Sequence, residues 1–248
     1  MVKLNMNYSI KTIEMNINHN LIEAEFIDRP NRFLTRVKIN GEIVNSHLPD
    51  PGRLRELLIP GARLLIRPEN GTNRKTRFST QAVYSDETLI SLNTLLPNSF
   101  VNHLLQKNGL QFLKGWNLQK REAYHGSSRF DFQLQKNDAM MILEVKSVTL
   151  VENGIAKFPD AVTERGRRHV QHLGEMASQG LQTMVLFVVQ RPDEKSFQPQ
   201  WERDPKFGSA LLNAWKKGLH IKVIRMKMTP CSIHYLGEIP FQINKVGT

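Results

Sequence analysis

Two carboxylates that one hairpin would set face to face constrain this chain more than any other feature. Asp131 lies in the run Arg129-Phe130-Asp131-Phe132-Gln133-Leu134, and Glu144 in Met140-Met141-Ile142-Leu143-Glu144-Val145-Lys146. Both runs read as strands, and Asn137-Asp138 between them suits a two-residue turn. That turn pairs Phe130 with Val145, Phe132 with Leu143 and Leu134 with Met141, an apolar face. On the other face it opposes Asp131 to Glu144, with Lys146 two residues further along. Like charges opposed across strands are destabilising, so the pair calls for a cation or a raised pKa. A second turn at Gly126-Ser127 would set Glu122 opposite Asp131, on a first strand from Trp116 to Tyr124. The apolar face is less clean there, because Arg121 then opposes Phe132.

Carboxylates in a row are the hard oxygen donors that Mg²⁺ or Mn²⁺ prefer. The expected ligands are Asp131, Glu144 and the main-chain carbonyl of Val145, with Glu122 close by. Such a metal would acidify a water and offset charge on a phosphate, and Lys146 would stabilise that charge. Glu-Val-Lys alone is what any exposed strand edge carries. The opposed Asp131 and the matched apolar faces give it weight.

The chain has 248 residues, 40% hydrophobic and 23% charged, as expected of a globular protein with one large domain or two small ones. No apolar run approaches a membrane span, and the polar start, Met1 to Asn20, lacks a signal-peptide core. Cys231 is the only cysteine, so an intrachain disulfide and a cysteine-based zinc site are excluded, and a reducing cytoplasm fits. The formal net charge is +11, with 14 basic against 10 acidic residues up to Asn108 and 20 against 13 after it. The excess is therefore spread over both halves. It favours a polyanionic partner, nucleic acid ahead of an anionic membrane.

The first 95 residues alternate as short strands: Leu21 to Asp28, Phe33 to Ile39, Glu42 to His47, Ala62 to Arg67, Phe78 to Tyr84 and Thr88 to Leu95. Asn40-Gly41 is a strong hairpin turn signal. The pattern suggests a small closed barrel of OB type, with an SH3-like barrel as the alternative. After Pro97 the character changes. Asn98 can cap a helix through Phe100, Val101, Leu104 and Leu105, stopped by Gly109. Three strands follow to Lys146. Thr163 can cap a second helix with the stripe Val170, Leu173, Met176 and Ala177, ended by Gly180. Thr183 to Val189 reads as a strand buried on both faces. Asp204-Pro205 opens a third helix that Gly218 closes, and Leu219 to Arg225 is one more strand. The order predicts an α/β sheet with helices on its faces.

An acid on one strand and acid-x-lysine on the next, within this order of elements, resembles the PD-(D/E)XK nuclease fold. Ser128-Arg129-Phe130-Asp131-Phe132, Leu143 to Leu150 (Leu-Glu-Val-Lys-Ser-Val-Thr-Leu) and Phe158 to Gly166 (Phe-Pro-Asp-Ala-Val-Thr-Glu-Arg-Gly) resemble the sugar fermentation stimulation protein A family. His47-Leu48-Pro49-Asp50-Pro51-Gly52-Arg53-Leu54 and Leu92-Asn93-Thr94 agree with it. Asp50-Pro51 stands where many members carry Asn-Thr. The resemblance spans nearly the whole chain. It implies a DNA-binding protein with an N-terminal OB-like domain and a nuclease-like C-terminal domain. The family name reflects a regulatory effect on sugar use and implies no sugar chemistry.

Several basic residues have candidate roles. Arg129 would stand across the hairpin from Lys146 and hold a phosphate, or pair with Glu122 or Glu144. Asp160 to Arg168 opens a helix, where N–H groups favour anions, and Arg165, Arg167 and Arg168 add charge. The alternative there is a solvated face with a Glu164–Arg168 pair. His169 falls on the apolar stripe and reads as a packed core residue. In the front half Arg32, Arg53 and Arg55 belong to a basic stretch with few aromatics, which favours backbone over base contacts.

The expectation is an OB-like nucleic-acid-binding barrel over residues 1–95 and a PD-(D/E)XK nuclease-like α/β domain with a mixed central sheet over 96–248. Asp131, Glu144, Lys146 and Glu122 form the expected catalytic set for cutting DNA with Mg²⁺ or Mn²⁺, without a membrane or a small-molecule cofactor. The rivals are a DNA binder that does not cut and a regulator of sugar-use genes. No helix-turn-helix signature supports the regulator.

Overall fold

The computed structural model describes residues 13–17, 20–70 and 74–245. Most of the polar start expected to lack a signal core, residues 1–12 and 18–19, lies outside the described residues. A short strand β1 (Glu14–Asn16) comes first. It is followed by β2 (Ile22–Asn31), β3 (Leu34–Ile39), β4 (Glu42–His47), β5 (Arg63–Pro68), β6 (Phe78–Ser85) and β7 (Thr88–Ser91). Strands β2 to β6 run in the order β4-β3-β2-β5-β6, and a parallel pairing of β4 with β6 closes them into the expected OB-like barrel. At the β3–β4 turn, Asn40 and Gly41 both take positive φ, as a twist-matched two-residue hairpin requires. Phe26, Val37, Leu64, Ile66, Val83 and Ile90 fill the barrel.

The second sheet holds seven strands in the order β1-β16-β15-β13-β10-β9-β8. They are β8 (Asn117–His125), β9 (Ser128–Lys136), β10 (Ala139–Val148), β13 (Gln182–Val189), β15 (His220–Met228) and β16 (Ser232–Glu238), with β1 at one edge. A small sheet of β11 (Val151–Glu152), β12 (Ile155–Phe158) and β14 (Ser196–Pro199) lies beside it. Strands β10, β13 and β15 are parallel and the flanking pairs antiparallel, so the sheet is mixed. Helix α1 (Leu96–Gln106) covers one face through Phe100, Val101 and Leu104. Helices α2 (Glu164–Ser178) and α3 (Pro205–Lys216) cover the other through Val170, Leu173, Phe207 and Leu211. Among the described residues no helix is long and apolar enough to cross a membrane.

Some expectations need correction. The first 95 residues do not all serve the barrel, because β1 pairs with β16 of the large sheet. The last barrel strand stops at Ser91 instead of Leu95. Asn98 does not cap α1; Leu95 stands at the cap position without a side-chain bond, and Pro97 fills the first turn. Thr163 and Asp204 are caps as expected, accepting from Gly166 N and Phe207 N. Asp204 also accepts Thr163 N–H at 2.9 Å, so one carboxylate ties both helix starts together. Helix α2 lies close against α3: a Cβ at Gly174 would stand 2.7 Å from that of Ala214.

The barrel is docked on the second sheet by the segment after β12. Asp160 Oδ2 accepts the Leu54 N–H at 3.2 Å, and its Oδ1 accepts from Arg203 at 2.9 Å. Gly52 leaves no room for a side chain, since a Cβ would meet Asp160 Oδ2 at 2.6 Å. Asp50 accepts the Gly52 N–H at 2.7 Å and so holds the turn. Arg29 completes the clamp with bonds to the carbonyls of Arg32, Asp50, Gly52 and Arg53. This basic residue is structural.

Glu194, after β13, is 2% exposed, and neither carboxylate oxygen has a hydrogen-bond partner. Burial pushes its carboxyl up to about 7, against the pull of Arg225 and Arg191. A carboxyl whose folded pKa lies above its unfolded value stabilises the fold below the unfolded pKa, and that contribution is lost as pH rises through the folded one. Glu194→Gln should therefore gain on the wild type between about pH 5 and pH 8, by roughly 2–4 °C in unfolding midpoint for each kcal/mol of linkage. Thermal unfolding of both proteins across that range measures it, and a pH-independent difference would contradict the assignment.

Candidate active site

The hairpin register is as the sequence predicts from Ala139 opposite Lys136 to Leu143 opposite Phe132. Beyond that point the ladder stops. Val145 stays in the α1-side core with Leu143, but Phe130 joins the α2-side core, where its ring lies 5.4 Å from His169. The expected Phe130–Val145 pair is therefore not formed. Asp131 fills the break. Its Oδ2 accepts the Val145 N–H at 2.7 Å, and its Oδ1 accepts Asn98 Nδ2 at 2.6 Å. Asn98 thus serves the site instead of the helix end. The Val145 group seen against Asp131 is its N–H; the carbonyl was the expected ligand.

Glu144 is 4% exposed. Its Oε1 accepts from Lys146 Nζ at 2.5 Å and pairs with His169 Nδ1 at 2.7 Å. Its Oε2 is buried with no partner. Burial pushes this carboxyl up, but Lys146 and His169 together outweigh burial and hold it below the usual range. Asp131 goes the other way: burial, then the charge of Glu144, pushes it up to about 6 against the Val145 N–H and Lys146. One carboxylate is held ionised and its neighbour is strained by the first.

Glu122 does not complete the row. It has positive φ, is 67% exposed and pairs with Arg129 at 3.5 Å. Among the described residues no group of three or more His, Cys, Asp or Glu side chains is gathered as a metal cluster. The two carboxylates with water still fit a small hard cation, since Mg²⁺ is commonly held by one or two carboxylates and keeps several waters. The buried, unpartnered Oε2 is the donor such an ion would take.

Two clefts adjoin the site through the partners of Glu144, one lined by Lys146 and the other by His169. One, of about 320 Å³, runs between the two domains and is lined by Arg32, Gly52, Lys146, Lys157 and Asp160. The other, of about 500 Å³, lies between the β8–β9 turn and α2 and is lined by Arg129, Arg165, Arg168 and His169. The expected basic residues are thus divided between two walls. Arg53 and Arg55 are exposed but line neither cleft. The alternative Glu164–Arg168 pair is not among the ion pairs formed. His169 packs as its place on the stripe requires, and it also bonds Glu144. The sequence signal for this bond is a titratable residue among apolar ones, one turn from Arg165.

Comparison with known proteins follows the same division. Residues 27–92 match the family described as SfsA N-terminal OB domain, and residues 95–232 the sugar fermentation stimulation protein RE domain. A sugar fermentation stimulation protein homolog of Clostridium kluyveri is 44% identical over 196 residues, 79% of this chain and 85% of its own. One from Clostridium botulinum is 44% identical over 230 residues, 92% of this chain and all of its own. Among solved structures, Pyrococcus furiosus SfsA in complex with Ca²⁺ superposes with a TM-score of 0.86 at 29% identity, covering 92% of this chain and 98% of that one.

The bond to Glu144 makes a stability prediction. His169→Leu removes a donor to a buried carboxylate and should destabilise the protein by about 2 kcal/mol. His169→Asn, whose amide can stand near the position of Nδ1, should recover part of that loss. Urea unfolding of the three proteins decides, and equal losses in both variants would show that only ring packing matters.

Proposed function

The chain belongs to the sugar fermentation stimulation protein family, and from that premise we propose that it binds DNA and cleaves its phosphodiester bonds with a divalent cation, Mg²⁺ or Mn²⁺. The observation that carries this reading is the unpartnered, buried Oε2 of Glu144 beside a second carboxylate and a lysine, with one cleft reached through Lys146 and a basic one through His169. The site is then of PD-(D/E)XK type, with Asp131 and Glu144 as ligands and Lys146 as the cation fixed beside them. The Pyrococcus relative was solved with Ca²⁺, another hard, oxygen-seeking ion. When bound, such an ion supplies Lewis acidity toward the phosphate and a more acidic water.

The residues of the chain do the rest. His169 and Lys146 hold Glu144 Oε1 and leave Oε2 directed for coordination. Asn98 and the Val145 N–H fix Asp131. Lys146 also lines the interdomain cleft, where its charge meets a phosphate of the strand. Arg32 on the barrel side and Arg129, Arg165 and Arg168 on the α2 side hold the flanking backbone, with Arg53 and Arg55 as outlying contacts. Glu122 acts through Arg129, with which it pairs. A cytoplasmic setting belongs to the same proposal and suits the exposed free thiol of Cys231. The rival, binding without cleavage, draws on the two-carboxylate ligand set.

Lys146→Ala separates the two. For chemistry, loss of one preorganised contact should slow cleavage by on the order of 10²–10³. For binding it is one charge among many, so DNA affinity should stay nearly intact. Equal trace cleavage by wild type and variant would mark contamination and establish the rival. By calorimetry, Asp131→Asn and Glu144→Gln should each weaken Mn²⁺ binding strongly; unchanged binding in both would refute the site. Affinity for DNA should fall roughly 10³-fold or more between 50 and 200 mM salt, and a flat response would count against backbone contacts.

A further inference from the structure

The cleft between the β8–β9 turn and α2 contains one residue that phosphate contacts do not explain. Tyr124 is 68% exposed on β8, directly across the ladder from Arg129, and both line the cleft. Singly exposed aromatics are common and need no cause. This one stands in the same concavity as Arg129, Arg165 and Arg168, with Glu175 as the one acidic lining residue. Arg129 meets Glu122 only at 3.5 Å, with their side chains 47% and 67% exposed, a pair weak enough to yield to a phosphate. His172 is tied by its Nδ1 to Ser128 at 2.9 Å, which braces the hairpin against the helix. At about 500 Å³ the space lies in the range that takes a molecule of nucleotide size. Its far wall is His169, which bonds Glu144.

We infer that this cleft holds one unpaired nucleotide of the DNA strand, with its base against Tyr124 and its phosphate on Arg129, Arg165 and Arg168. The inference rests on the reading of the protein as DNA-cleaving and narrows its substrate to single-stranded DNA or DNA with an unpaired end. A base in a duplex is stacked on its neighbours and cannot offer its face to a side chain. A flat aromatic surface beside a basic track is the arrangement by which proteins hold single strands without reading sequence. Arginines alone would serve either form of DNA. The tyrosine favours one.

The test measures binding of the full chain to a short oligothymidylate and to a blunt hairpin duplex, at fixed salt and with chelator present to prevent turnover. Tyr124→Ala should weaken single-strand binding ~10-fold and leave duplex binding within about twofold, while Tyr124→Phe should bind both as wild type does. Equal losses for the two forms, or no loss for either, would overturn the inference and leave the cleavage proposal standing. Failure of the wild type to bind either form would bring down the cleavage proposal itself.

Discussion

A buried glutamate with a second carboxylate at its side is the constraint that the rest of this structure answers. Glu144 sits in a parallel strand between β9 and β13, where an ion without partners is strongly disfavoured. Lys146 and His169 hold its Oε1, and those two bonds keep it ionised. Asp131 is left with the consequence, its carboxyl pushed up to about 6 by burial and by the charge beside it. Two hydrogen bonds, from Asn98 and from Val145, hold it there. The bonds reach from β9 to α1 and from β10 to α2, so the site draws on both helical layers of the sheet.

The break in the β9–β10 ladder is part of the same arrangement. An unbroken pairing would carry Phe130 to the face of Val145. By turning to the other layer, Phe130 packs on His169 and His172, and Asp131 takes the strand's unsatisfied N–H. The hydrogen bond lost to the ladder is thus recovered by a side chain. The barrel reaches the site by an independent route, through Asp160, Gly52 and Arg29. This docking places Arg32 of the barrel in one cleft with Lys146. Basic residues far apart in sequence come to face one another across the domain boundary.

Much of the fold follows from local chemistry alone. The Asn40-Gly41 turn, the caps at Thr163 and Asp204, the hairpin register up to Leu143 and the apolar run of β13 all depend on residues near one another in the chain. The pairing of Asp131 with the Glu-Val-Lys triplet was legible for the same reason: a two-residue turn fixes which residues meet, and the apolar alternation checks it. Long-range pairing was not legible. The addition of β1 to β16 and the small β11-β12-β14 sheet join segments that carry no short-range signal, and a two-residue strand leaves no pattern to read.

The sequence by itself determined the order of the longer elements, the two acids with the lysine just beyond the second, and the basic excess in both halves, because these are properties of spacing and composition. Tertiary structure alone decided which donor meets which oxygen. It moved Asn98 from a helix cap to Asp131, made Arg29 a clamp and left Glu122 outside the row. It also gave His169 a carboxylate to hold. The physical reason is shared by Asn98, Arg29 and His169: a polar side chain bonds whatever unsatisfied group the packing leaves within about 3 Å, and packing is set by contacts distant in sequence.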